Sequence, residues 1–322
     1  MASKLLETIA DSPTAIAALV DRIDSLETDH PCLFLDLEGV NLCRDGSISI
    51  LTLLVQPSPA QKRVYLVDVY NMGRLAFNTP GKSDRTLKHI LESPAIPKVL
   101  FDLRNDSDAL YAHFNVALQG VEDVQLMENA SRVNRSRERL SGLAKCIEFD
   151  SAPFLNILSR KKWELAKEEG DRLWNPRHGG SFEVFNARPL SPEIISYCVG
   201  DLRYLPQLRD LYWGKLTPAW KAKVAEETRN RVRCSQAADY VSQGPDKALG
   251  PPRWDEKRQA AALAMRTREE SENDQTWETQ KEVYHALDDQ ILVERVFEEF
   301  ESSQLMEREE ELRQIYGDAG DG

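Results

Sequence analysis

The chain has 322 residues, long enough for one large domain or two, and its 41% hydrophobic and 29% charged residues suit a folded core with added polar segments. Its net charge of −12 is localised: residues 254–322 carry 20 Asp/Glu against 8 Lys/Arg, so residues 1–253 are neutral and 211–253 is locally basic. That distribution weakens the usual argument from acidity against a nucleic-acid partner, and no apolar run approaches the ~18 residues of a membrane helix.

In chain order, residues 1–29 are expected to form one or two short helices, with "SPTAIAALVDRIDSL" opening on a Ser-Pro start signal. Three strands follow, "CLFLDLEG", "SISILTLLV" and "RVYLVDVY", joined by short turns that predict an antiparallel meander. Then come a helix at "RTLKHILES", a strand at "KVLFDL", a helix at "DSDALYAHF" and a strand at "VEDVQLME". Alternating strands and helices predict parallel neighbours. From about 137 to 232 the chain reads as helical, interrupted at 175–190, and "SQGPDKALGPPR" reads as a linker. The acidic tail has apolar residues near helical spacing and is expected to be a solvated helix, with a partner-binding helix or an electrostatic screen against unspecific nucleic acid as the alternatives. Five cysteines, odd in number and without a C-x-x-C pair, argue against a disulfide framework or zinc site. With no leader-like N-terminus, an intracellular protein of cytoplasm or nucleus is expected.

The first strand carries a problem in electrostatics. Asp36 and Glu38 are two residues apart in an oily run, so their side chains share a face. Two anions ~4 Å apart repel by ~4 kcal/mol at an effective dielectric of about 20. Asp106 begins the helix after the fourth strand, and Tyr197 and Asp201 lie four residues apart on a late amphipathic helix, hence on one face. A hard cation such as Mg²⁺ or Mn²⁺ would stabilise four converging carboxylates, and a pair of such ions suits in-line attack of water on a phosphodiester.

The order D-x-E, then Asp after a "KVL" strand, then Y-x-x-x-D resembles the DEDDy 3'-5' exonucleases, the group of ribonuclease D and the Werner-type exonuclease domain. Among these the eukaryotic exonuclease-domain-containing proteins are the nearest in pattern. The similarity runs from about His30 to Leu216 and includes "DVQLME" and the "RPL" of 188–190. It implies a ribonuclease-H-like α/β fold: a mixed five-stranded sheet, three antiparallel strands followed by parallel βαβ units, flanked by helices and followed by a helical C-terminal extension. The implied division is a helical segment at 1–29, an exonuclease domain at 30–216 and an extension at 217–322. The implied metal ligands are Asp36, Glu38, Asp106 and Asp201, with Asp36 bridging two ions and Tyr197 orienting water. The implied substrate is a single-stranded RNA or DNA 3' end, and the acidic C-terminal helix is a candidate protein-binding element.

Two departures bear on the second block. It holds three acids, Asp102, Asp106 and Asp108, and Phe101 stands where ribonuclease-D-like sequences carry a histidine. Spacing favours Asp106. The Arg-rich run 131–145 and the basic residues Lys221, Lys223, Arg229, Arg231 and Arg233 could line a nucleic-acid backbone or be ordinary surface. Trp174 could stack on a base or pack on the core. The competing functional class is a non-catalytic adaptor on the same fold, which has no physical need for four clustered anions; a small-nucleotide phosphohydrolase is a weaker third.

Overall fold

Apolar residues on both faces of "LFLDLE" oblige this strand to lie inside a sheet covered on both sides. The computed structural model describes residues 6–26 and 32–254, with isolated positions 306 and 308. The sheet contains β1 (Leu6–Ala10), β2 (Leu33–Glu38), β3 (Ile50–Ser58), β4 (Gln61–Asp68), β5 (Lys98–Leu100) and β6 (Val121–Asp123), in the order β1-β4-β3-β2-β5-β6. β2, β3 and β4 form the antiparallel meander, while β5 and β6 add in parallel beyond β2.

The helices in chain order are α1 (Pro13–Asp24), α2 (Val69–Met72), α3 (Leu75–Asn78), α4 (Leu87–Glu92), α5 (Arg104–Phe114) and α6 (Val124–Ser131). They continue with α7 (Leu143–Asp150), α8 (Ile157–Trp174), α9 (Pro192–Arg203), α10 (Leu205–Lys215) and α11 (Pro218–Gln236). One start signal serves three of them. Ser12, Ser191 and Thr217 each accept a hydrogen bond from a first-turn N–H, and each is followed by proline.

Strand alternation sorts the core into two layers. Leu33, Leu35 and Leu37 face one way, into a cluster with Ile16, Ile90 and Leu110 from α1, α4 and α5. Phe34 faces the other way, into a cluster with Ile147, Trp163, Tyr197 and Leu202 from α7, α8 and α9. Asp36 and Glu38 share the Phe34 face and therefore point toward α9.

The sheet departs from expectation at its ends. Residues 6–10, expected to be helical, form a sixth strand parallel to β4, and one helix follows. The last predicted strand is only three residues long, because Asp123 accepts a hydrogen bond from Gln125 N and turns the chain into α6.

The stretch beyond 216 contributes to the core of the same body. α11 packs on α5, α6 and β6, and the chain clusters into one compact unit over Met1–Asp255. Arg231, expected at the surface, is buried and donates to Asp123 Oδ2 at 2.7 Å and Gln125 Oε1 at 3.0 Å. Trp254 is also buried, with its ring edge-on to Trp220 at 5.5 Å. The remainder of the acidic tail, apart from the isolated positions, lies outside the described residues, and so does its expected helix.

Candidate metal centre

β2 delivers the first two acids to the α9 layer. The spacing of four along α9 delivers Tyr197 and Asp201 to the same place. Carboxylate oxygens of Asp36, Glu38 and Asp201 all lie within 4.8 Å of one another. α9 is held at this distance by its own packing. Trp163 Nε1 of α8 donates to Gly200 O at 2.9 Å, and the loop before α9 is pinned by Arg188. That guanidinium, in the "RPL" block, grips buried Asp68 at 2.7 and 2.8 Å and also donates to Phe185 O at 2.7 Å.

Asp106 comes from the first turn of α5 and is buried. β5 pairs with β2 only as far as Phe34, so at the level of Leu37 the carboxylate of Asp106 lies beside strand backbone instead of a neighbouring strand. Its Oδ1 is buried without a hydrogen-bond partner, which costs free energy unless a ligand compensates.

The other two acids of this block are already engaged. Asp102, at the sharp bend into α5 with φ of 60°, is gripped by Arg104 through two bonds of 2.6 Å. Asp108 accepts from Arg44 N and Nε, both at 2.7 Å. Of the three, Asp106 alone has no cationic partner of this kind.

The electrostatics follow from burial and crowding. Burial, then Glu38, Asp201 and Asp106, push the Asp36 carboxyl well above its ordinary range. Glu38 is pushed up to about 8 by burial and then by Asp201. Asp106 is pushed up to about 7, again by burial first and then by Asp102, although the Leu37 and Asp106 backbone N–H groups act in the opposite direction. Asp102 shows the contrary behaviour: burial alone would raise it, but Arg104 and Arg231 hold it below the usual carboxylate range. The Tyr197 phenol is raised by burial and by the three acids, so it stays a hydroxyl and a hydrogen-bond donor.

These donors fit a hard divalent cation. They are all oxygens, and three of the four expected ligands converge; Asp106, which carries the buried orphan oxygen, is not part of that trio but acts on Asp36 and Glu38 through its charge. Among the described residues this trio is the one His/Cys/Asp/Glu group close enough to hold an ion.

A family model described as 3'-5' exonuclease matches residues 10–217. The chain belongs to this 3'-5' exonuclease family. Solved structures agree on the fold. Trypanosoma brucei RNase D, in its complex with GMP, superposes with a TM-score of 0.60 at 22% identity, over 78% of this chain and 71% of that one. Escherichia coli RNase D gives 0.51 at 19% identity, over 73% and 52%. A mutant form of the catalytic core of Trypanosoma brucei RRP6 gives 0.51 at 17%, over 72% and 54%. No curated protein matches the chain.

Several residues of this exonuclease-fold site escaped sequence reasoning. Lys167 of α8 donates to both carboxylate oxygens of Asp201, and its ammonium is 4.0 Å from the centre of the Tyr197 ring. Gly170, one turn further, lets the Tyr197 ring pack against bare backbone: a Cβ there would come within 2.3 Å of it. Neither residue has a local signal, because "ELAKEEG" reads as a solvated helix face.

The residues weighed as nucleic-acid contacts separate in the same way. Arg132 is buried in a bidentate pair with Glu128, and Arg137 donates to Ala130 O and lies over the Trp220 ring, so both serve the fold. Arg135, Arg139, Arg229 and Arg233 remain exposed. Trp174 packs with Phe182 at 5.4 Å and Tyr197 at 6.0 Å, as a core residue does. Among the described residues no helix is long and apolar enough to cross a membrane, and Cys43, Cys146, Cys198 and Cys234 are free thiols.

Proposed function

We propose that the protein is a metal-dependent 3'-5' exonuclease that hydrolyses phosphodiester bonds at single-stranded RNA or DNA 3' ends, acting in a reducing compartment, cytoplasm or nucleus. The observation that carries this reading is the convergence of Asp36, Glu38 and Asp201, together with the unpaired oxygen of Asp106 while Asp102 and Asp108 are taken up by arginines. Asp36, Glu38, Asp106 and Asp201 would hold two Mg²⁺ or Mn²⁺ ions. When bound, such ions lower the pKa of the attacking water and stabilise the leaving oxyanion. Tyr197 keeps its proton, and its hydroxyl orients that water for in-line attack. Packing of the ring against Gly170, Trp174 and Phe185 fixes where the hydroxyl points. The relative solved in complex with RNA U12 supports RNA as the first substrate to test.

The deciding assay is turnover of end-labelled RNA and DNA oligonucleotides with Mg²⁺ or Mn²⁺. EDTA should abolish cleavage, and a 3'-phosphate should block it. Equal cutting of circular substrates would point to an endonuclease. Absence of both turnover and metal binding would favour the non-catalytic adaptor.

A further inference from the structure

We propose that Lys167 is a built-in counter-cation of the carboxylate cluster, one that a divalent ion must displace from Asp201 in order to bind. The inference rests on the proposed role of Asp36, Glu38 and Asp201 as metal ligands and concerns what that site does without metal.

Position is the first argument. On α8 the residues Trp163, Lys167, Gly170 and Trp174 recur at helical spacing and form the face that docks on α9. Trp163 bonds Gly200 O, and Gly170 and Trp174 pack on Tyr197, so the lysine between them is aimed by packing on both sides. Its side chain is 26% exposed, against 61% for Lys161 and 69% for Arg172 of the same helix, which make pairs at the surface.

Chemistry is the second. The ammonium takes both oxygens of Asp201, the same atoms a metal ion would need. The negative charges of Glu38 and Asp36 also act on it. The Tyr197 ring face adds a cation–π contact. A single positive charge thus offsets part of the repulsion that would otherwise load the metal-free fold. The same charge competes with an incoming ion and lowers its affinity. Released from Asp201, the ammonium stays on a helix beside the cluster.

The test is Mn²⁺ binding to the full chain by isothermal titration calorimetry, with thermal melts in parallel, for wild type, Lys167→Met and Lys167→Arg. Lys167→Met should tighten Mn²⁺ binding about tenfold or more, because an opposing charge beside the ligands is gone. It should also lower the metal-free melting temperature and enlarge the Mn²⁺-induced rise. Lys167→Arg keeps the charge and should retain weak, wild-type-like binding. If Lys167→Met is unfolded without metal, titrated Mn²⁺ should restore its far-ultraviolet circular dichroism; failure to do so counts against the proposal. Equal affinities for wild type and Lys167→Met would overturn it and leave the metal site standing. Lack of Mn²⁺ binding by every variant would overturn both.

Discussion

Each acid near the site has a role set by what faces it. Asp36→Asn removes one of the proposed ligands, so the Mn²⁺-induced rise in melting temperature and the cleavage of a labelled oligonucleotide should both vanish. Tyr197→Phe should keep the thermal shift yet lose roughly 100-fold in rate, the scale of removing one positioned hydrogen-bond donor. Asp108→Asn should lower stability, because Arg44 loses a bidentate partner, while the metal-induced shift persists. Lys98 gives a pH signature away from the site. It is fully buried, donates to Ile90 O and Ser93 O, and is pushed down to about 7 by burial. Between about 7 and the ordinary lysine value near 10.4 the unfolded chain binds the extra proton, so stability should rise with pH across that window. Urea titrations at pH 7 and pH 9.5 should show this gain in wild type and its loss in Lys98→Met.

Between elements, two contacts hold the site in shape. Gly170→Ala forces the Tyr197 ring or α8 to move, at a cost of roughly 1–3 kcal/mol, and should reduce turnover while metal binding survives. Arg231→Met leaves Asp123, which is 0% exposed, without its cation; a loss of about 3–5 kcal/mol in denaturant unfolding is expected. These contacts also mark where the sequence stopped being legible. The D-x-E pair, the Y-x-x-x-D pair and the central strands follow from period two and from i, i+4 spacing, which are local rules. Asp106 needed spacing within its block, and the structure adds why its neighbours are already engaged. Lys167, Gly170 and Arg231 act through partners 27 or more positions away, and a charged or small residue on a helix carries no mark of such a partner. Residues 6–10 escaped because Leu6 and Ile9 stay partly exposed on an edge strand, so no buried alternation announces it.

For the molecule as a whole, the net charge of −12 over residues 254–322 can be tested by truncation. A truncation that tests it must keep Trp254, because that indole is packed on Trp220. The chain ending at Asp255 should stay folded and bind single-stranded oligonucleotides more tightly at low salt, with a steeper salt dependence of the dissociation constant. Unfolding of this shortened chain would show instead that the tail is part of the core. Arg44 has a different bearing, on the order in which the protein is made. It follows the D-x-E strand closely, yet its guanidinium closes on the carbonyls of Ser235, Ala237 and Ala238, with Asp108 on its other side. A partner 191 positions downstream reaches the ribosome exit about 10–40 s later at roughly 5–20 residues per second. Until then the nascent chain has α5 and β6 without α11 packed on them, so protection of these elements against proteolysis should appear only after Gln236 has left the ribosome.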